Sequence, residues 1–172
     1  MRNILILVPL VLLLTVSAAK TQTVTFTRDD IDYILELPSP LWRPVPRLDV
    51  HSHVEFINRD DYSNGYLRLR KRLVTAGAGP DDLFRYDEKW ELQALPGYVV
   101  CSNGNGARIE GQLSGTAYAY EYVNNGRAMD GRIYYLQANN RIFYVLHFTV
   151  ASDKRQSLRE QMDFIARSFR IK

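Results

Sequence analysis

The stretch Thr116–Val150, TAYAYEYVNNGRAMDGRIYYLQANNRIFYVLHFTV, decides how this chain of 172 residues folds. Side chains on a β-strand alternate between two faces. Thr116, Tyr118, Tyr120 and Tyr122 therefore share one face, and Ala117, Ala119 and Glu121 share the other. Asn125-Gly126 offers the positive backbone dihedrals of a tight hairpin turn, and Asn139-Asn140 marks a second reversal. The pattern predicts a three-stranded antiparallel meander. Its last strand is apolar on both faces, with Ile142, Tyr144, Leu146, Phe148 and Val150 on one and Phe143 and Val145 on the other. Such a strand belongs in the middle of a sheet that is covered on both sides.

Helices supply the cover. After the meander, Asp153 reads as an N-cap with Gln156 three residues on, and Leu158, Met162, Ile165 and Phe169 form an apolar stripe. Before the meander, Leu83, Tyr86 and Trp90 recur at three- and four-residue spacing. This predicts an amphipathic helix over Asp81–Gln93 that Pro96-Gly97 ends. Upstream, Thr21–Arg28, Ile31–Leu37, Asp49–Asn58 and Tyr66–Val74 read as strands, and Tyr98–Ser102 as another. PSPLWRPVP, with four prolines between Pro38 and Pro46, reads as a loop or edge segment that returns Leu41 and Trp42 to the core. The expected architecture is α+β: an α/β/α sandwich with a central antiparallel sheet of about six to seven strands and helices on both faces.

The first twenty residues, MRNILILVPLVLLLTVSAAK, have the anatomy of a secretory signal. Arg2 is a short basic region, Ile4–Val16 is apolar, and Ser17 and Ala19 suit cleavage after Ala19. The apolar run is shorter than the ~20 residues of a spanning helix, so the mature chain is not expected to be an integral membrane protein. The expected organisation is a signal peptide over 1–19 and one α+β domain over 20–172, exported to the periplasm or outside the cell. Cys101 is the sole cysteine, so no intramolecular disulfide forms, and its place after Val99-Val100 reads as a small buried apolar residue. A net charge of +3 is weak attraction for a polyanion, and nucleic-acid binding fits export badly.

The layout resembles the PsbP-like superfamily, which includes PsbP, the Ran-binding Mog proteins and DcrB-type exported proteins. The residues that carry the resemblance are LELPSPLWRP and the run from GTAYAYEYV through RIFYVLHFTV to MDFIARSFRI. The resemblance implies an α/β/α sandwich, usually without an enzymatic role, that docks on other proteins or complexes. It brings no catalytic residues and no cofactor.

Three constellations could carry chemistry. In Asp49–Ile57, DVHSHVEFI, His51 and His53 lie on one strand face and could share a metal ion, but Glu55 is ~13 Å from His51 along the strand and too far to complete the set. The alternative is a polar strand face toward water, with Val50, Val54 and Phe56 inward. Arg68, Arg70 and Arg72 form a basic stripe, either an anion-attracting surface or a solvated face. Tyr118, Tyr120 and Tyr122 are either core beneath a helix or an interaction surface. Gly104, Gly106 and Gly111 do not make a dinucleotide-binding loop, and GQLSG around Ser114 is not a nucleophile elbow. The sequence therefore points to a non-catalytic exported domain that binds a protein or cell-envelope component. A carrier of a small apolar ligand in a curved sheet is the alternative, and a histidine-based metal protein the third.

Overall fold

The computed structural model of the chain describes residues 22–45, 54–59 and 64–172. The elements, in chain order, are β1 (Val24–Phe26), β2 (Tyr33–Leu37), β3 (Trp42–Val45), β4 (Val54–Asn58), β5 (Tyr66–Leu73), α1 (Pro80–Asp87), β6 (Val99–Val100), β7 (Ala107–Ile109), β8 (Gly115–Asn124), β9 (Arg127–Asn139), β10 (Ile142–Ala151), α2 (Arg155–Ser168) and β11 (Arg170–Ile171). A π-helical turn, Glu88–Leu92, continues α1. The expected signal segment and the pair His51 and His53 lie outside the described residues.

The meander is β8, β9 and β10, and it builds the centre of an eight-stranded antiparallel sheet in the order β3-β4-β5-β10-β9-β8-β6, with β7 also on β8. Asn125 and Gly126 take the positive φ values, 49° and 77°, that the first hairpin demands. β10 sits between β5 and β9, and the residues of both its faces are buried, as a doubly apolar strand requires. Two cores result. One, on the α2 side, holds Tyr144, Leu146, Phe148 and Val150 against Leu158, Met162, Ile165 and Phe169. The other, on the α1 side, holds Phe143, Val145 and Tyr135 against Leu83, Phe84 and Leu92. Helices therefore cover both faces, and the sheet has one or two strands more than expected.

A second sheet, β1-β2-β11, lies beside α2. Alternation in β2 buries Tyr33, Leu35 and Leu37. Tyr33 stacks on Phe169 at 5.2 Å, and Ser168 Oγ accepts the Glu36 N–H at 3.2 Å, which anchors the C-terminal end of α2. The proline-rich segment supplies β3, an edge strand where Pro44 removes no needed donor. Trp42 is buried edge-on to Phe148, with Nε1 donating to Gln161 at 2.9 Å, whereas Leu41 is exposed.

Three local expectations are corrected. Asp153 does not cap α2: Ser152–Lys154 form a 3-10 turn, the Arg155 N–H reaches the Ser152 carbonyl, and Asp153 instead accepts from Arg127 at 3.2 Å. Cys101 opens a 3-10 turn and is only half-buried. Glu55, expected to face water, is buried together with Val54 and Phe56, and it lies opposite Arg68 on β5.

Candidate functional site

The antiparallel registers line up chemistry-bearing residues across the sheet. Glu55 on β4 lies opposite Arg68 on β5, and Arg68 lies opposite His147 on β10. Arg70 and Arg72 follow at two-residue steps on the same face, the one that α1 covers. The basic stripe is therefore interior. Arg70 is buried, and the side chains of Arg68 and Arg72 are 29% and 23% exposed.

Acidic residues on the helix meet this stripe. Asp87, at the end of α1, takes Arg72 Nη1 at 2.7 Å, Arg70 Nη2 at 3.5 Å and the Tyr135 hydroxyl at 2.8 Å. Glu91, in the π turn, takes Arg70 Nη1 at 2.7 Å and Arg68 Nη2 at 3.0 Å. Burial works against a charged Glu91, but the hydrogen bonds and charges of Arg70 and Arg68 outweigh it and hold the carboxyl below its ordinary value. Charges that are paired and hydrogen-bonded in this way tolerate burial that lone ones would not.

His147 sits inside the same layer. Its Nδ1 is 3.5 Å from Arg68 Nη2, and its Nε2 is 2.6 Å from the Tyr120 hydroxyl. A guanidinium only donates, so Nδ1 is the acceptor and the neutral Nε2–H tautomer faces Tyr120. Burial, then the charges of Arg68 and Arg70, push the imidazole from 6.5 to about 3. Tyr120 reaches His147 because Gly131 lies opposite it on β9. A Cβ at Gly131 would overlap the Tyr120 ring, so only glycine leaves the ring its place.

The sequence-derived candidates are thus redistributed. Tyr118 and Tyr120 are buried, Tyr118 stacking on Phe84 at 4.1 Å and donating to Asp81, and Tyr122 is half-buried. Of the two readings of this face, core beneath a helix is the one the packing follows, since α1 lies over it. The arginine stripe likewise becomes an ion-pair layer rather than a free surface. The aromatic pair that does face solvent was expected inside: Tyr86 is 54% and Trp90 63% exposed. Arg72 Cζ lies 5.3 Å from the Tyr86 ring centre and Lys89 Nζ 4.9 Å from that of Trp90. His51 and His53 lie outside the described residues, and among the described residues no three potential ligands group to hold a metal ion.

No protein-family model and no curated protein sequence matches the chain. Solved structures do. LpqN of Mycobacterium tuberculosis, described as involved in cell envelope biogenesis, superposes with a TM-score of 0.54 at 18% identity, over 87% of this chain and 90% of that one. The PsbP of the cyanobacterium Synechocystis, CyanoP, gives 0.61 at 12% identity, over 91% and 96%. The Ran-binding protein Mog1p of Saccharomyces cerevisiae gives 0.61 at 6% identity, over 88% and 96%. At these identities the likeness is one of architecture, and the fold of this chain is the PsbP-like α+β sandwich that its sequence resembles.

Proposed function

We propose that the chain is a non-catalytic binding domain, exported to the periplasm or the exterior, that docks on a protein or cell-envelope component through the outer side of α1 and its π turn. The observation that carries this reading is the exposure of Tyr86 and Trp90 on a segment whose inner side Asp87 and Glu91 tie to the sheet. Rigidly presented tyrosine and tryptophan are the favoured anchors of protein interfaces, because they bury much area for little lost freedom. Lys89 beside the Trp90 ring suits a partner with an acidic rim. Two of the structurally similar proteins are described by a Ran-binding role and a role in envelope biogenesis, which agrees with a docking function. Composition supports export through residues 1–19. The non-catalytic reading draws on His147, Asp87 and Glu91, which are engaged with sheet arginines rather than turned to a cleft.

The enclosed apolar carrier is less favoured, because Leu158, Met162, Ile165 and Phe169 of α2 pack into the apolar core on that face of the sheet. The docking reading is tested by retrieving partners from the native envelope fraction with wild-type protein and with Tyr86→Ser/Trp90→Ser. Selective loss of a partner from the variant, with Val99→Ser as an exposed control elsewhere, is the expected result. Equal recovery by all three proteins overturns the assignment of this surface.

A further inference from the structure

The segment that carries Tyr86 and Trp90 sorts its charges by side. Every acid of residues 80–92 is engaged within the fold. Asp81 accepts from the Tyr118 hydroxyl, Asp82 takes the Gly79 N–H at 2.9 Å, and Glu88 takes the Tyr98 hydroxyl at 3.0 Å. Asp87 and Glu91 hold the sheet arginines. The bases of the segment, Arg85 and Lys89, are exposed and have no ion-pair partner among the described residues. They stand four residues apart, so they share one side of the helix about 6 Å apart along its axis. Tyr86 and Trp90 follow them in turn at the same spacing, with ring centres 6.4 Å from each other. A cationic stripe therefore runs beside an aromatic one on the outer side.

Like charges at this spacing repel, and the fold supplies no anion to relieve them. We infer that the docking surface takes a carboxylate-rich segment of a protein partner, its acids recurring at about the same 6 Å step. Alternate positions of a strand or four-residue steps of a helix provide that step. The inference rests on the docking role proposed for Tyr86 and Trp90 and specifies what docks there. Charge-assisted bonds from Arg85 and Lys89 set the register of the segment, and the rings bury area against it. An anionic bilayer fits this side less well. It is a plane, so Asp81 and Asp82, exposed at the start of α1, face it together with Arg85 and Lys89 and offset their attraction. Leu83, Phe84 and Leu92, which would enter lipid, are buried against the sheet. A narrow acidic segment follows the two cations and leaves the aspartates in water.

The probe is a labelled peptide of Glu-Leu-Glu-Ser repeats, read by fluorescence anisotropy at low salt against its Gln-Leu-Gln-Ser counterpart. Arg85→Gln/Lys89→Gln should weaken binding of the acidic peptide about fivefold, the effect of losing a pair of exposed ion pairs. Tyr86→Ser/Trp90→Ser should weaken it about tenfold. Arg159→Gln/Arg167→Gln removes the same charge from exposed positions of α2, on the other face of the sheet, and should leave the affinity unchanged. Added salt should erase the difference between wild type and Arg85→Gln/Lys89→Gln. Equal weakening by the two charge variants, or equal binding of the glutamine peptide, would overturn the inference. So would phosphatidylglycerol vesicles that bind through Arg85 and Lys89 where the acidic peptide does not. In retrieval from the native envelope fraction, a partner lost with Tyr86→Ser/Trp90→Ser but kept by Arg85→Gln/Lys89→Gln would leave docking in place and overturn only its acidic chemistry.

Discussion

Acidification from pH 7 to pH 5 should destabilise the protein through a single buried imidazole, and the size of the effect follows from the structure. His147 is hydrogen-bonded to Tyr120 and lies beside Arg68, and burial with the neighbouring charges lowers it from 6.5 to about 3. The unfolded chain takes up a proton on this residue below 6.5, and the folded chain refuses it until about 3. Stability is therefore lost as pH falls through that window. Between pH 7 and pH 5 the unfolded state gains the equivalent of about 1.4 pH units of proton binding, or about 2 kcal/mol. This value depends little on the folded pKa as long as it lies well below 5. With a urea dependence of about 2 kcal/mol per molar, the midpoint should fall by about 1 M. His147→Gln provides the reference, since its amide can accept from Arg68 and donate to Tyr120 without titrating. Wild-type and variant urea curves should diverge by this amount between the two pH values, with contributions from His51 and His53 cancelling in the difference. Glu91, whose carboxyl is held low, loses its contribution only as pH falls further, which is why the comparison stops at pH 5. Parallel pH dependence in the two proteins would refute the buried, neutral His147.

Gly131→Ala should cost about 2–4 kcal/mol, since its Cβ drives Tyr120 off the sheet and breaks the bond to His147; a change within about 0.5 kcal/mol in urea unfolding would contradict this packing. Asp87→Ala should cost about 3–5 kcal/mol, because it strands Arg72 beneath the helix, leaves Arg70 with Glu91 alone and leaves the Tyr135 hydroxyl unmet; thermal unfolding with van't Hoff analysis measures it. Trp90→Ser should stay within about 0.5 kcal/mol of wild type with unchanged far-ultraviolet circular dichroism, and a larger loss would mean that the indole belongs to the core.

The central meander was legible because local and long-range demands agree there. Period-two alternation, Asn125-Gly126, and the doubly apolar β10 all require the same three-stranded unit, and the registers place β10 as expected between two neighbours. The stripe Leu158, Met162, Ile165 and Phe169 was legible for the same reason, since its 3.6-residue period faces an apolar sheet.

The α1 face was misread for a specific physical reason. Apolar periodicity places Leu83, Tyr86 and Trp90 inward only if the opposing sheet face is apolar, and here that face carries Arg68, Arg70 and Arg72. Two residues of strand advance about 6.7 Å, and four residues of helix about 6 Å, so a carboxylate pair at i and i+4 matches an arginine stripe at alternate strand positions. Asp87 and Glu91 are that pair. They turn toward the arginines, carry Leu83, Phe84 and Leu92 in with them, and leave Tyr86 and Trp90 outside. The π turn, closed by the bond from Gln93 N–H to the Glu88 carbonyl at 2.9 Å, widens the helix where the inward face must hold both Glu91 and Leu92. The basic stripe on β5 and the acids on the helix are therefore two halves of one structural feature. A reading that paired them across the chain would have placed the charges inside and the aromatic pair on the surface, where a partner can reach it.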